Sequence, residues 1–164
     1  MTKQDDPHGV ETGAGTGTGP VALASDHAAL ALKADVAAWL QERGIAVVDL
    51  GPHTADSVDY PDFAQAMAQA IKEGTADRGV LMCGSGIGMS IAVNREPLVR
   101  GALVHDAYGA RMCRQHNDAN VLVLGARTTG MDIARECVDI FLDTEFEGGR
   151  HARRVGKMSP GTET

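Results

Sequence analysis

The chain has 164 residues, of which 43% are apolar, and a formal net charge of −7 at pH 7. That length serves one domain with its own core. The acidic balance argues against a general nucleic-acid or membrane binder while leaving room for a local basic pocket that takes an anionic metabolite, and no run approaches the roughly 18 apolar residues that span a bilayer.

Residues 1–20, MTKQDDPHGVETGAGTGTGP, contain no apolar stretch and are rich in Gly and Thr. They read as a disordered extension rather than a secretory leader or part of a core. From Val21 the pattern becomes regular. VALA is a short apolar run that fits a buried strand, and Ser25 or Asp26 of SDHA is a helix N-cap. Leu32, Val36, Trp39 and Leu40 then fall at i, i+4, i+7 and i+8, one helix face, which Gly44 ends.

IAVVDL (45–50) is a second strand, and YPDFAQAMAQAIKEG a helix with Ala64, Met67 and Ile71 on one side. GVLMC (79–83) is a third strand, followed by a glycine turn and a helix through MSIAVN. RGALVH (100–105), the helix AYGARMCRQH, the strand NVLVLG (120–125) and a helix carrying Ile133, Cys137, Ile140 and Phe141 complete the series. KMSPGTET reads as a tail, so the folded domain is expected over residues 21–156. Strands alternate with helices and are apolar runs rather than alternating ones. That is the signature of an α/β fold with a doubly wound, parallel, five-stranded sheet covered on both faces.

In such folds ligands meet the carboxyl ends of the strands. The residues there are Ser25–Asp26–His27, Cys83–Gly84–Ser85, His105–Asp106 and Arg127. The stretch MCGSGIGMS (82–90) stands out. Gly84, Gly86 and Gly88 are spaced G-x-G-x-G, and Met89 occupies the place of the third glycine of a dinucleotide fingerprint. A P-loop signature is absent as well. A cysteine ahead of such a turn suggests chemistry. Converging backbone N–H groups stabilise an oxyanion, and a thiolate beside them serves as nucleophile or base.

Cys113 and Cys137 lie within helices and read as structural; three widely spaced cysteines fit a reducing, cytoplasmic setting rather than a disulfide framework. His116, in RQHNDAN, is a group suited to acid–base work near neutral pH. In GGRHARR, Arg150 and Arg154 share a face if the segment is helical, and two guanidinium groups can grip a phosphate. The six histidines show no metal-ligand spacing. These parts suit proton transfer beside a carbonyl on a phosphorylated metabolite, or thiol-based acyl or phosphoryl transfer.

SDHAALALK, SVDYPDFA, GVLMCGSGIGMSIAVNR, HNDANVLVLGAR and FEGGRHARRV together resemble the ribose-5-phosphate isomerase B family, which includes the paired galactose-6-phosphate isomerase subunits. The resemblance covers about Val21 to Val155. It implies a Rossmann-like fold, and homodimers or dimers of dimers with active sites at the subunit interface. It implies no metal and no organic cofactor. The implied reaction interconverts an aldose phosphate and a ketose phosphate through a cis-enediol(ate).

By the same resemblance Cys83 is the base, and the amides of Gly84, Ser85, Gly86, Ile87 and Gly88, with the Ser85 hydroxyl, hold the enediolate oxygen. His116 opens the sugar ring and Asn117 binds a sugar oxygen. Asp26 and Tyr60 contact the sugar; His27, Arg127, Arg150 and Arg154 hold the phosphate. Some family members use a glutamate where this chain has Met89, so the chain looks like the cysteine type. Ribose 5-phosphate is the expected substrate. The alternatives are a tetrose or hexose phosphate (erythrulose 4-phosphate, or allose or galactose 6-phosphate) and a non-catalytic sugar-phosphate-binding subunit.

Overall fold

Strand β1 (Val21–Ser25) pairs in parallel with β2 (Val47–Asp49) on one side and with β3 (Arg78–Cys83) on the other. Strand β5 (Val121–Gly125) joins β3, and β4 (Gly101–Leu103) joins the far side of β5. The computed structural model describes residues 19–158. The predicted extension therefore lies outside the described residues, apart from Gly19 and Pro20, as does the tail beyond Met158.

The sheet order is β2-β1-β3-β5-β4, all parallel. Alternate residues of each central strand feed two separate cores. Val21, Leu23, Val80, Met82, Leu122 and Leu124 pack with Val36 and Leu40 of α1 (Leu30–Glu42) and with Cys137 and Phe141 of α5 (Met131–Asp143). Ala110 and Cys113 of α4 (Ala107–Gln115) join that face. On the opposite face Ala22, Ala24, Leu81, Val121 and Val123 pack with Met67 of α2 (Tyr60–Lys72) and with Met89 and Val93 of α3 (Ile87–Val93). With both faces covered, a strand has no polar side to show, which explains the continuous apolar runs.

Right-handed crossovers explain the distribution of helices. The chain leaves β1 toward β2 in one direction and leaves β3 toward β4 in the other. Helices α1 and α3 therefore fall on opposite faces, and a crevice opens between the carboxyl ends of β1 and β3. This is the topological switch point at which α/β sheets take ligands.

Several local expectations shift. Trp39 is half-buried because its indole Nε1 donates to Asp139 Oδ1 at 2.8 Å, which keeps it at the helix margin. Ile133 is exposed, and Ala134 and Val138 take the inner face of α5 beside Cys137 and Phe141. In α2 the inner face is Ala64, Met67 and Ala70, with Ile71 turned partly outward. The strands β2 and β4 are shorter than read, and His105 lies beyond β4. The GGRHARR segment enters helix α6 (Arg150–Met158), which runs through Lys157 and Met158, residues placed in the tail by sequence.

Candidate active site

Asp26 and His27 follow β1 directly. Asp26 Oδ1 accepts the Ala28 N–H at 2.9 Å and caps the short 3-10 turn His27–Ala29, so the predicted cap is the aspartate. His27 is held from outside: its Nδ1 accepts the Val58 N–H at 3.2 Å. A neutral imidazole in that position carries its proton on Nε2. The loop that brings Val58 there is itself anchored. Buried Lys33 donates to Asp49 Oδ1 at 2.6 Å and to the Pro52 carbonyl at 2.8 Å. Burial pulls the Asp49 carboxyl upward, but the Lys33 ammonium and the Gly51 amide outweigh it and hold it below the usual carboxylate value.

Cys83 ends β3, and the glycine turn folds back onto it. The Gly86 N–H donates to Cys83 Sγ at 3.1 Å, placing a donor where negative charge on sulfur is stabilised. Gly86 sits at φ 79°, left-handed backbone that glycine adopts without strain. A Cβ there would lie 2.4 Å from Leu103 Cδ1. The Ser85 hydroxyl accepts the Ile87 N–H at 3.3 Å. On the other flank Ala126 and Arg127 donate backbone N–H groups to the carbonyls of Cys83 (2.8 Å) and Gly84 (3.0 Å). The loop after β5 is thereby sewn to the glycine turn, with the Arg127 side chain over Gly84. Tyr60 covers Gly88 so closely that a Cβ at that position would fall 2.6 Å from its ring.

The result is an open cleft of about 630 Å³ lined by Asp26, His27, Tyr60, Cys83, Gly84, Ser85, Ile87, Gly88 and Arg127. Nine residues singled out by sequence thus meet in one place. Ala28, Ile91 and Thr128 complete the wall and escaped the sequence reading. Ile87 and Ile91 are exposed at spacing i, i+4 on α3, an apolar strip beside the cleft. Met89 is fully buried in the core below.

His116, Asn117, Arg150 and Arg154 are not at this cleft. His116 caps the C-terminus of α4 and precedes β5, whereas Cys83 lies in register with Gly125, the last residue of β5. At about 3.3 Å per residue, the four steps from Val121 to Gly125 separate the two ends by ~13 Å. The candidate residues therefore fall into two groups, one toward each end of β5. Asn117 lines a different cavity of about 400 Å³, with Arg100, Ala119 and Met158.

Around His116 the chain builds a compact group. Buried Arg114 donates to Asp118 Oδ1 at 2.8 Å and to the Ala119 carbonyl at 2.6 Å, bracketing the His116–Asn117 turn. The His116 and His151 rings stack with centroids 4.2 Å apart and planes 4° from parallel. Glu147 Oε2 lies 3.9 Å from His116 Nε2 and 3.6 Å from His151 Nε2. Burial, reinforced by His116 and Arg150, holds His151 below the usual imidazole value. His151 and Glu147 were missed as functional candidates. They stand 35 and 31 positions from His116, so only the fold brings the three together.

Cys83 borders the open cleft, whereas Cys113 and Cys137 pack into the core on the other face of the sheet. Burial pushes Cys113 up to about 11, against the pull of Arg114 and Arg78. Burial does the same for Cys137, with Glu136 and Asp106 adding to it, also to about 11. At pH 8 each is ionised at the level of roughly 10⁻³. Iodoacetamide at pH 8 is therefore expected to alkylate native protein at Cys83 alone, with Cys113 and Cys137 reacting after denaturation. Peptide mass spectrometry reads the outcome, and equal labelling of all three would refute it. The raised pair also carries a stability consequence. Both thiols stay protonated in the fold while the unfolded chain ionises, so stability falls as pH rises from about 9 toward 11.

Known proteins resemble this chain along nearly the whole described region. The model of the family described as Ribose/Galactose Isomerase matches residues 21–158. Ribose-5-phosphate isomerase B of Escherichia coli (strain K12) is 42% identical over 135 residues, covering 82% of this chain and 91% of that protein. D-erythrulose-4-phosphate isomerase of Pectobacterium atrosepticum is 42% identical over 139 residues, covering 84% and 91%. Among solved structures, ribose-5-phosphate isomerase B of Clostridium thermocellum superposes with a TM-score of 0.84 at 49% identity, covering 85% of this chain and 95% of that one. The type B enzyme of Trypanosoma cruzi gives 0.82 at 48% identity, with the same coverage. Among the described residues no helix is long and apolar enough to cross a membrane. With the family model matched over residues 21–158 and a relative 42% identical over 82% of the chain, the chain belongs to the ribose/galactose isomerase family of enzymes.

Proposed function

We propose that the protein interconverts ribose 5-phosphate and ribulose 5-phosphate, with Cys83 as the base. The observation that carries this reading is the Cys83 sulfur held by the Gly86 N–H at 3.1 Å inside a cleft that also presents His27 and Arg127. Cys83 as thiolate takes the proton from C2 of the open-chain aldose. The freed electron pair forms the C1–C2 double bond as the carbonyl oxygen becomes the enediolate oxygen. Charge on that oxygen falls against the amides of the glycine turn and the Ser85 hydroxyl. The C2 hydroxyl then passes its proton to the O1 enediolate oxygen, and Cys83 returns its own proton to C1 as the C2–O bond becomes the ketone.

The remaining groups come from a second copy in this reading. His116 would open the ring as acid and base, Asn117 would hold a sugar oxygen, and Arg150 and Arg154 would close on the phosphate beside His27 and Arg127. Two copies with their half-sets exchanged complete two sites, in a homodimer or a pair of homodimers. The ~13 Å of strand between the half-sets in one chain supports that arrangement.

A second reading keeps the chemistry on a tetrose phosphate. It is favoured by the 42% identity to D-erythrulose-4-phosphate isomerase, equal to that with ribose-5-phosphate isomerase B of E. coli. A panel of ribose 5-phosphate, erythrulose 4-phosphate, allose 6-phosphate and galactose 6-phosphate separates the two by kcat/KM. Ribose 5-phosphate is expected to lead by at least ~10-fold, the discrimination that one extra buried group supplies. A lead by the tetrose would transfer the assignment. Binding with no exchange of the C2 proton into solvent would point to a non-catalytic subunit.

A further inference from the structure

We propose that His116, Glu147 and His151 form a binding site for one zinc-class divalent metal ion, and that its occupation stops isomerisation by taking the lone pair of His116. The second clause rests on the role given to His116 above; the site itself does not.

The three side chains offer two imidazole nitrogens and one carboxylate oxygen, all within 4.8 Å of one another. Two histidines and a carboxylate, with a fourth position open to water, are a ligand set that zinc takes in accessible sites. Ligand bonds of 2.0–2.2 Å in a tetrahedron put donor atoms about 3.4 Å apart. The observed separations from Glu147 Oε2, 3.6 Å and 3.9 Å, stand within about half an ångström of that spacing. The two imidazole rings stack in parallel at 4.2 Å, so His116, whose side chain is 37% exposed, must rotate for its lone pair to converge on the ion with that of His151.

The backbone holds the three in place. The Glu147 N–H donates to the Gln115 carbonyl at 3.1 Å, next to His116. Gly148 and Gly149, at φ 65° and 54°, turn the chain so that Glu147 and His151 face the same point across the start of α6. The His151 N–H closes that turn on the Gly148 carbonyl at 2.9 Å. One group competes: Arg150 Nε donates to His151 Nε2 at 3.4 Å, a long bond that the ion would replace. The site differs from a catalytic centre because its occupant disables an acid–base histidine rather than activating water for the reaction.

Zinc titration of the full-length protein against a chromophoric chelator tests the site without reference to turnover. One ion per chain is expected. Glu147→Gln and His151→Asn should each weaken binding at least ~10-fold, as loss of one of three ligands does. Glu147 is partly exposed, so its variant stays informative if the buried histidine variant fails to fold. Cys83→Ser keeps all three ligand side chains, so it should still bind one zinc ion per chain. Affinity unchanged in Glu147→Gln and in a folded His151→Asn, or lost only in Cys83→Ser, would overturn the site. Zinc should also depress kcat reversibly, with EDTA restoring it and Glu147→Gln raising the half-inhibiting zinc concentration by its loss in affinity. Stoichiometric binding with undiminished turnover would overturn the inhibitory role. Stoichiometric binding in a chain that isomerises no sugar phosphate would refute the functional reading and leave the site standing.

Discussion

Replacing Cys83 by alanine is expected to lower kcat for ribose 5-phosphate by ~10²–10⁴-fold, the scale on which a positioned proton-transfer group contributes. Substrate affinity should change little, because the phosphate grip is assigned to other residues. The physical reason is that no other group at the cleft duplicates the sulfur. Met89, where some family members use a carboxylate, is fully buried, and Asp26 is engaged in capping the turn after β1. The alanine variant also strips the buried Gly86 N–H of its acceptor, a loss of about 1–3 kcal/mol in stability. Cys83→Ser resolves the two effects. Its hydroxyl can accept that N–H, so stability should recover while turnover does not. Steady-state kinetics, C2-proton exchange and a thermal melt on both variants decide it. Turnover retained in either variant would remove Cys83 from the base role.

Gly125→Ala is expected to lower kcat/KM by ~10²-fold without touching a proposed catalytic group, since a displacement of about 1 Å at a reacting centre has that effect. A Cβ on Gly125 would lie 2.4 Å from Thr128 Oγ1 and 2.7 Å from the backbone C and O of Ser85. The threonine can rotate away. The Ser85 backbone cannot, so the glycine turn must lift off the end of β5. Overpacking of this kind destabilises by about 1–3 kcal/mol. Gly84→Ala is the contrast: its nearest neighbour is the Arg127 side chain at 3.6 Å, an ordinary contact. If Gly125→Ala kept wild-type kcat/KM and the wild-type rate of Cys83 alkylation, the close approach would be irrelevant to the site.

Legibility in the sequence followed locality. Each polar residue that comes directly after a strand could be placed, because strand ends are marked by apolar runs and lie at a known edge of the sheet. Asp26, Cys83 and Arg127 are of this kind. Roles set by distant packing could not be read. Lys33 looks like one more helix lysine, yet it is buried against Asp49 and Pro52 and anchors the loop that holds His27. Gly125 looks like the end of a strand, and only the return of Ser85 against it shows why a side chain is excluded. Ile133 matched the helical period yet faces outward, because Ala134 and Val138 bring α5 closer to the sheet than a larger residue would. The separation of His116 from Cys83 follows from strand order, to which helical and strand periodicity are blind.

The insertion of β5 between β3 and β4 has one more effect. It leaves the sheet bordered by β2 and β4, each only three residues long. A border that short presents too few unpaired amide and carbonyl groups to template another chain, so runaway strand-on-strand polymerisation has no foothold. The longer and more apolar strands, which would be the hazardous templates, are all interior. Among the described residues, the surface left for self-association is therefore that of side chains on helices and loops.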